Sequence, residues 1–117
     1  MASMQMYALA GRVQDNFINT EVSANGVYAI KFWPLGVPVH ILVDDYIPWI
    51  TNNSNPRFGR YPRHEGGNVS WPIYMEKAFA KLHGSYGRTA GGWSTNGVSY
   101  LNGSPYEFKS TSGLTEQ

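Results

Sequence analysis

The hydrophobic positions of this chain change period along its length, and each change marks an element. From Val27 the alternation has period two. Tyr28, Ile30 and Phe32 fall on one side, and Val27, Ala29, Lys31 and Trp33 on the other. Pro34-Leu35-Gly36 interrupts, and then Val37, Val39, Ile41 and Val43 alternate with Pro38, His40, Leu42 and Asp44. Alternation on both sides of a short Pro/Gly turn predicts a β-hairpin. Pro34 suits the second position of a type I turn, and Gly36 the left-handed position after it. Pro38 predicts an unpaired edge at its strand. Apolar residues occur on both faces, so both faces are expected to be covered to some extent.

The period then lengthens. Trp71, Tyr74, Met75, Ala78, Phe79 and Leu82 recur at helical spacing and draw one apolar stripe. Ser70 is the expected N-cap, Pro72 falls in the first turn, and Gly84 reads as the stop. Gly91-Gly92 follows in a tight loop.

The remaining stretches are weaker. Residues 2–10 are rich in Ala, Met and Leu and predict a helix that Gly11 ends. A short helical stretch is expected from Arg12 to Ile18, with Val13 and Phe17 on one side. The chain thus begins inside a helix with no cap before it, which predicts a piece cut from a longer protein. Asn25-Gly26 signals a turn. Residues 50–69 show no periodicity and read as a long polar loop, a length usually tied to function or mobility. One short helix is expected around Gly97–Leu101, and the polar tail from Ser110 is expected to fray.

Composition narrows the class. With 117 residues the chain is one domain or part of one. A hydrophobic share of 42% excludes disorder over most of it. A net charge of +1 gives no global attraction to nucleic acid or an anionic membrane. No apolar run is long enough to cross a bilayer, and the N-terminus lacks the basic region of a signal peptide. The chain has no cysteine, which excludes disulfides, thiolate metal sites and a cysteine nucleophile on it. That fits a reducing compartment, where the sequons at Asn52, Asn68 and Asn102 carry no weight.

Candidate chemistry is sparse. Asp44-Asp45 could hold a cation or divide acid and base roles. Neighbours on a strand point to opposite faces, however, so a strand-end ion pair or turn cap is the better reading. His40, His64 and His83 have no metal spacing, and nothing resembles a nucleophile elbow. Arg57, Arg60 and Arg63 interleave with Phe58 and Tyr61, a pattern that can grip single-stranded nucleic acid. The run is short and Glu65 follows, so a solvated loop is expected. The glycine pair is the most informative feature: it lets another backbone approach closely, which suits phosphate cradling or pairing with an extended peptide, although an ordinary loop is the default reading of a glycine pair alone.

Taken together, these motifs resemble the calpain family of cysteine peptidases. The residues that carry the resemblance are Asn25-Gly26-Val27-Tyr28-Ala29, Phe32-Trp33, VPVHILVDDYIP from Val37 to Pro48, Trp71, MEKAFAKLHGSY from Met75 to Tyr86, and Gly91-Gly92. Order and spacing both agree over about Ala2 to Lys109. The resemblance implies an α+β fold: a fragment of the papain-like catalytic core with an N-terminal helix, a hairpin, a long loop, a central helix and a Gly-rich loop. Residues 1–117 would be a partial catalytic domain, the first lobe without its nucleophile. The cysteine is then expected just before Met1, and the histidine and asparagine in a second lobe beyond the chain.

The implied contribution of this chain is the substrate side of the cleft. Gly91 and Gly92 match the glycine pair that hydrogen-bonds the substrate backbone, with Gly92 making the direct contact. No residue here is expected to be catalytic or to bind a metal. Glu76 and Lys77 match family positions expected to be structural. Calcium-activated members place a ligand carboxylate where this chain has Val69, and a valine side chain cannot coordinate calcium. No cofactor is therefore expected. Expected partners are a peptide or protein substrate and the missing second lobe or a partner subunit, with no nucleic acid and no membrane, in the cytoplasm. The alternative is a stand-alone pseudoprotease lobe acting as a structural or protein-binding subunit. Either way the absent second lobe is expected to leave apolar surface open, with Trp33, Trp49 or Trp93 among the uncovered residues.

Overall fold

A computed structural model describes residues 4, 8–19, 21, 23–50, 53–56, 63–64, 67–68, 70–92 and 94–107. For 53–56, 63–64, 67–68 and Ser94 it describes the backbone alone. The fold is α+β, as expected. Strands β1 (Val27–Phe32) and β2 (Val39–Asp44) form the antiparallel hairpin, paired from Val27 with Asp44 to Phe32 with Val39. Helix α1 spans Trp71–His83 and helix α2 spans Ser94–Asn102. Met4, Ala8 and Leu9 are helical, and Gly11 closes that segment by donating its N–H to the Ala8 carbonyl at 2.9 Å.

The core lies between the hairpin and the two helices. Ile30, Phe32, Val43, Met75, Ala78 and Leu101 are buried there together with Met4. Aromatic contacts set the layers. Tyr28 stacks on Tyr74 at 4.6 Å, Phe32 meets Phe79 edge-on at 5.9 Å, and Phe79 meets Tyr100 at 5.6 Å. Such pairs add to the area that they bury.

Helix α1 is buried more widely than its predicted stripe. Met75 and Ala78 on the stripe are buried, but so are Pro72, Ile73 and Ala80 off it, while Trp71, Tyr74, Phe79 and Leu82 are half-buried. The reason is that α1 packs on the hairpin on one side and on a 3-10 turn, Tyr86–Thr89, on another. Gly84 ends it in the left-handed conformation (φ 94°), as expected. Ser70 occupies the capping position, but its side chain makes no capping bond. Its carbonyl accepts the N–H of Ile73 at 3.1 Å instead.

The hairpin turn differs from the expected type I. Gly36 is left-handed (φ 79°), but so is Leu35 (φ 52°, ψ 32°). Val37 donates its N–H to the Pro34 carbonyl at 3.0 Å, which closes a type I′ turn around the Leu35-Gly36 pair. Primed turns match the twist of the strands that they join. Pro38 lies outside the ladder, just before β2.

The outer face of the sheet is covered only in part. Leu42 is 56% exposed and Val27 43% exposed on the outer face, and only Ala29 and Lys31 are half-covered there. The stretch from Arg12 to Ile18 is not a single helix. A 3-10 turn spans Val13–Asn16, and Phe17 is extended and bridges Ile30. The Ile18 N–H reaches the Ala29 carbonyl at 3.0 Å, and Asn19 both accepts from the Ala29 N–H and donates to the Val27 carbonyl. The outer edge of β1 is thus paired rather than free.

Residues 50–69 are not a structureless loop throughout. Strands β3 (Trp49–Ile50) and β4 (Asn53–Pro56) pair, as do β5 (Arg63–His64) and β6 (Gly67–Asn68). Such two-residue ladders leave no periodicity to read. Arg57, Phe58, Arg60, Tyr61, Glu65, Val69, Trp93 and the tail from Ser110 lie outside the described residues. Of the tryptophans, Trp49 is 51% exposed. Trp33 is half-buried against Gly103, with the Lys31 ammonium 4.8 Å from its ring.

Candidate functional site

The glycine pair sits where the chain passes from α1 to α2. After Gly84 the backbone extends at Ser85 and tightens into the 3-10 turn Tyr86–Thr89. The Arg88 N–H donates to the Ser85 carbonyl at 3.3 Å, and the Thr89 hydroxyl donates to the Tyr86 carbonyl at 2.8 Å. This turn packs on α1, so the helix supports the loop from beneath. Gly91 and Gly92 follow, both exposed, and α2 begins two residues later.

Neither glycine is required by the chain's own backbone. Neither adopts the left-handed conformation that favours glycine, and a Cβ added to either meets no described atom within 4 Å. Gly103 provides the contrast. It is left-handed (φ 74°), and a Cβ there would lie 3.0 Å from the Trp33 ring.

Lysines of α1 hold the far edge of the hairpin. The Lys77 ammonium pairs with the Asp44 carboxylate and donates to the Asp44 carbonyl at 3.0 Å and to the Tyr46 carbonyl at 2.5 Å. Lys81 donates to the Leu42 carbonyl at 2.7 Å. These bonds occupy carbonyls that a free edge strand would offer to another chain. Asp44 also accepts the Tyr46 N–H at 2.9 Å, which bears out its reading as a strand-end ion pair and turn cap. The Lys77 hydrogen bond, then the Tyr46 N–H, hold the Asp44 carboxyl below the usual carboxylate range. Asp45 packs against Gly26 instead, so the two carboxylates do not share a site.

The histidines are dispersed. His40 is exposed on the outer face of β2. His83 lies against Phe79 and Tyr100, with ring centroids at 4.3 and 5.4 Å, and its Nδ1 is 2.9 Å from the Phe79 carbonyl. His64 falls in β5, described by backbone alone. Among the described residues no group of three or more His, Asp or Glu is placed to hold a metal ion. Among them, too, no helix is long and apolar enough to cross a membrane.

Asn16 carries no mark in the sequence, and Glu76 stands out there only as a position expected to be structural. Asn16 is fully buried, and its amide donates to the Lys31 and Leu101 carbonyls, both at 2.8 Å. Glu76 has a buried oxygen, and burial pushes its carboxyl up. For Glu76 the signal was present. Its helical neighbours Pro72, Ile73, Phe79 and Ala80 are all apolar, which places it on an inward face. For Asn16 no local pattern marks the role, because its partners are 15 and 85 residues away.

The calpain family cysteine protease model matches residues 1–116. The chain is similar to Calpain-8 of Mus musculus, at 37% identity over 83 residues, which cover 71% of this chain and 11% of the relative. It is similar to Calpain-C of Drosophila melanogaster, at 38% over 84 residues, covering 72% of this chain and 12% of the relative. It is also similar to Calpain-type cysteine protease ADL1 of Oryza sativa subsp. japonica, at 34% over 92 residues, covering 79% and 4%. The matched part of the chain thus spans only a small fraction of these relatives' length. The motifs from Asn25 to Gly92, the α+β architecture and these matches agree: the chain belongs to the calpain family of cysteine proteases.

Proposed function

We propose that this chain forms part of the first lobe of a calpain-type cysteine endopeptidase, and that Gly91 and Gly92 present backbone groups to an extended peptide substrate. One observation carries the reading. The glycines are exposed, their dihedrals do not call for glycine, and nothing described crowds them. A side chain absent for no internal reason leaves room for a neighbour from outside. An extended peptide is the neighbour that uses bare backbone, pairing with it as an added strand.

Cleavage needs a thiolate, a base to activate it and donors for the oxyanion. The 117 residues contain no cysteine, so the nucleophile comes from elsewhere in the parent protein. In this reading the base and its orienting asparagine come from a second lobe or a partner subunit. The Val69 side chain offers no oxygen ligand, so calcium is not held through that side chain. The parent acts on peptides or proteins in the cytoplasm, without nucleic acid or membrane.

The absence of any thiol on the chain also supports a second reading, a pseudoprotease lobe that holds a peptide without cutting it. Peptide binding is common to both, and turnover separates them. The test uses a fluorescently labelled, end-blocked extended peptide and reads anisotropy with the wild-type chain and with Gly92→Val. Affinity at least tenfold weaker for the variant at unchanged melting temperature supports the reading. Equal affinity overturns it.

A further inference from the structure

Glu76 lines a second feature beneath the glycine pair. Its Oε2 is buried and has no hydrogen-bond partner among the described residues. It borders a cavity of about 90 Å³ whose other walls include Phe32 from β1, Phe79 from α1, Leu101 and Gly97 from α2, and Thr89 from the 3-10 turn. Thr89 is the one other polar side chain in that wall among the described residues. Its hydroxyl hydrogen is already given to the Tyr86 carbonyl, so its oxygen is left as an acceptor. A carboxyl and a hydroxyl oxygen therefore border one small cavity with no direct bond between them.

Such a cavity has room for about one to three water molecules at roughly 30 Å³ each, and buried water settles where polar groups lack partners. Water can donate to both the Glu76 carboxyl and the Thr89 oxygen. A dry cavity would leave the carboxyl desolvated, and burial already disfavours its charged form. Glutamine is nearly the same size and avoids the cost of a buried charge, so the carboxyl is a costly choice for packing alone.

We propose that Glu76 is a positioning residue for the glycine pair: with water held in this cavity, its carboxyl ties α1 to Thr89, and so fixes the backbone that leads into Gly91 and Gly92. The inference rests on the reading of Gly91-Gly92 as a peptide-docking edge. A docking backbone gains affinity when it is ordered beforehand, because less freedom is lost on binding. Thr89 is two residues before Gly91, and Gly97 is five after Gly92. The tie therefore holds the chain just before the pair, and Gly97 walls the same cavity after it.

The test is made on the 117-residue chain without peptide, so it does not depend on whether peptides bind. Amide order parameters of Gly91 and Gly92 are measured for wild type, Glu76→Gln and Glu76→Leu, together with melting temperature and the magnetisation transfer from water to the Thr89 methyl group. Wild type and Glu76→Gln are expected to keep order parameters near the rigid value of about 0.85 and to show the water signal. Glu76→Leu keeps the bulk of the side chain and removes the buried polar group, so it is expected to hold or raise the melting temperature. It is expected to lose the water signal and to drop the two glycines below about 0.6. A role in packing alone moves the melting temperature and leaves the order parameters in place, which overturns the proposal. No water signal at Thr89 in the wild-type chain overturns it too, even if Glu76→Leu fails to fold. A failure of peptide binding with the predicted order changes intact would instead fall on the docking reading.

Discussion

Asn16 is the side chain on which this fold should depend most for its size. It is fully buried and ties three segments together: the 3-10 turn that carries it, β1 through the Lys31 carbonyl, and α2 through the Leu101 carbonyl. Both contacts are 2.8 Å, and both partners are acceptors, so only the amide nitrogen can face them. Asn16→Ala removes two hydrogen bonds, each contributing about 1 kcal/mol net, and leaves two carbonyls short of a partner at about 1 kcal/mol or more each. Asn16→Ala also removes the buried Oδ1, which has no partner among the described residues and offsets about 1 kcal/mol, so the expected loss is about 1–3 kcal/mol, a large part of the roughly 5–15 kcal/mol that holds a domain folded. The assay is urea denaturation followed by tryptophan fluorescence, with the slope m checked for constancy. Asn16→Asp sharpens the test, because it supplies no N–H donor and buries a charge. Its carboxyl is raised in the folded state, so the added cost is present above that raised value and fades as pH falls below it, when the acid form can donate one bond. Asn16→Asp should therefore be worse than Asn16→Ala at neutral pH and recover on acidification. A loss under about 1 kcal/mol for Asn16→Ala would refute the reasoning.

Three further outcomes are expected. Leu35 is left-handed and 97% exposed, so Leu35→Asn should stabilise the chain by roughly 0.5–1 kcal/mol in the same assay, since Asn tolerates that conformation and nothing is lost from the core; a destabilisation would contradict the type I′ turn. Gly103→Ala should cost about 1–3 kcal/mol, because the new methyl group combines a left-handed backbone with contact at 3.0 Å to Trp33, and a neutral result would mean that α2 does not end on that ring. The lowered Asp44 carboxyl gives stability that is present above its unfolded value and lost as pH falls through the folded one, so Lys77→Met should flatten the acid limb of the stability curve below about pH 4, whereas an unchanged limb would deny the pairing.

Much of this was legible in the sequence where local periodicity and local turn chemistry agree. The β1–β2 hairpin, the bounds of α1 and its left-handed Gly84 all follow from spacing and punctuation. The illegible parts depend on contacts distant in sequence. Ile73 and Ala80 are buried off the stripe, and Ala80 lies beside Tyr86, where the Tyr86–Thr89 turn folds back on α1 in a way that no helical stripe records. Leu35 takes a conformation that leucine disfavours because the turn must match the twist of its strands. The pairing of Phe17 and Ile18 with β1 follows a 3-10 turn and has too few residues to alternate. At the candidate site the glycine pair could be located from its motif. That its own fold leaves it free of steric demand needed coordinates, as did the cavity that Glu76 shares with Thr89.

The central claim is that Gly91-Gly92 is a backbone docking edge. Its most direct test is an amide chemical-shift titration of the chain with an end-blocked extended peptide, repeated with the same peptide N-methylated at alternate residues. Shift changes are expected to concentrate at Gly91, Gly92 and their immediate neighbours and to be lost with the N-methylated register that blocks strand pairing. Shifts that spread elsewhere and leave both glycines unmoved at saturation would contradict it.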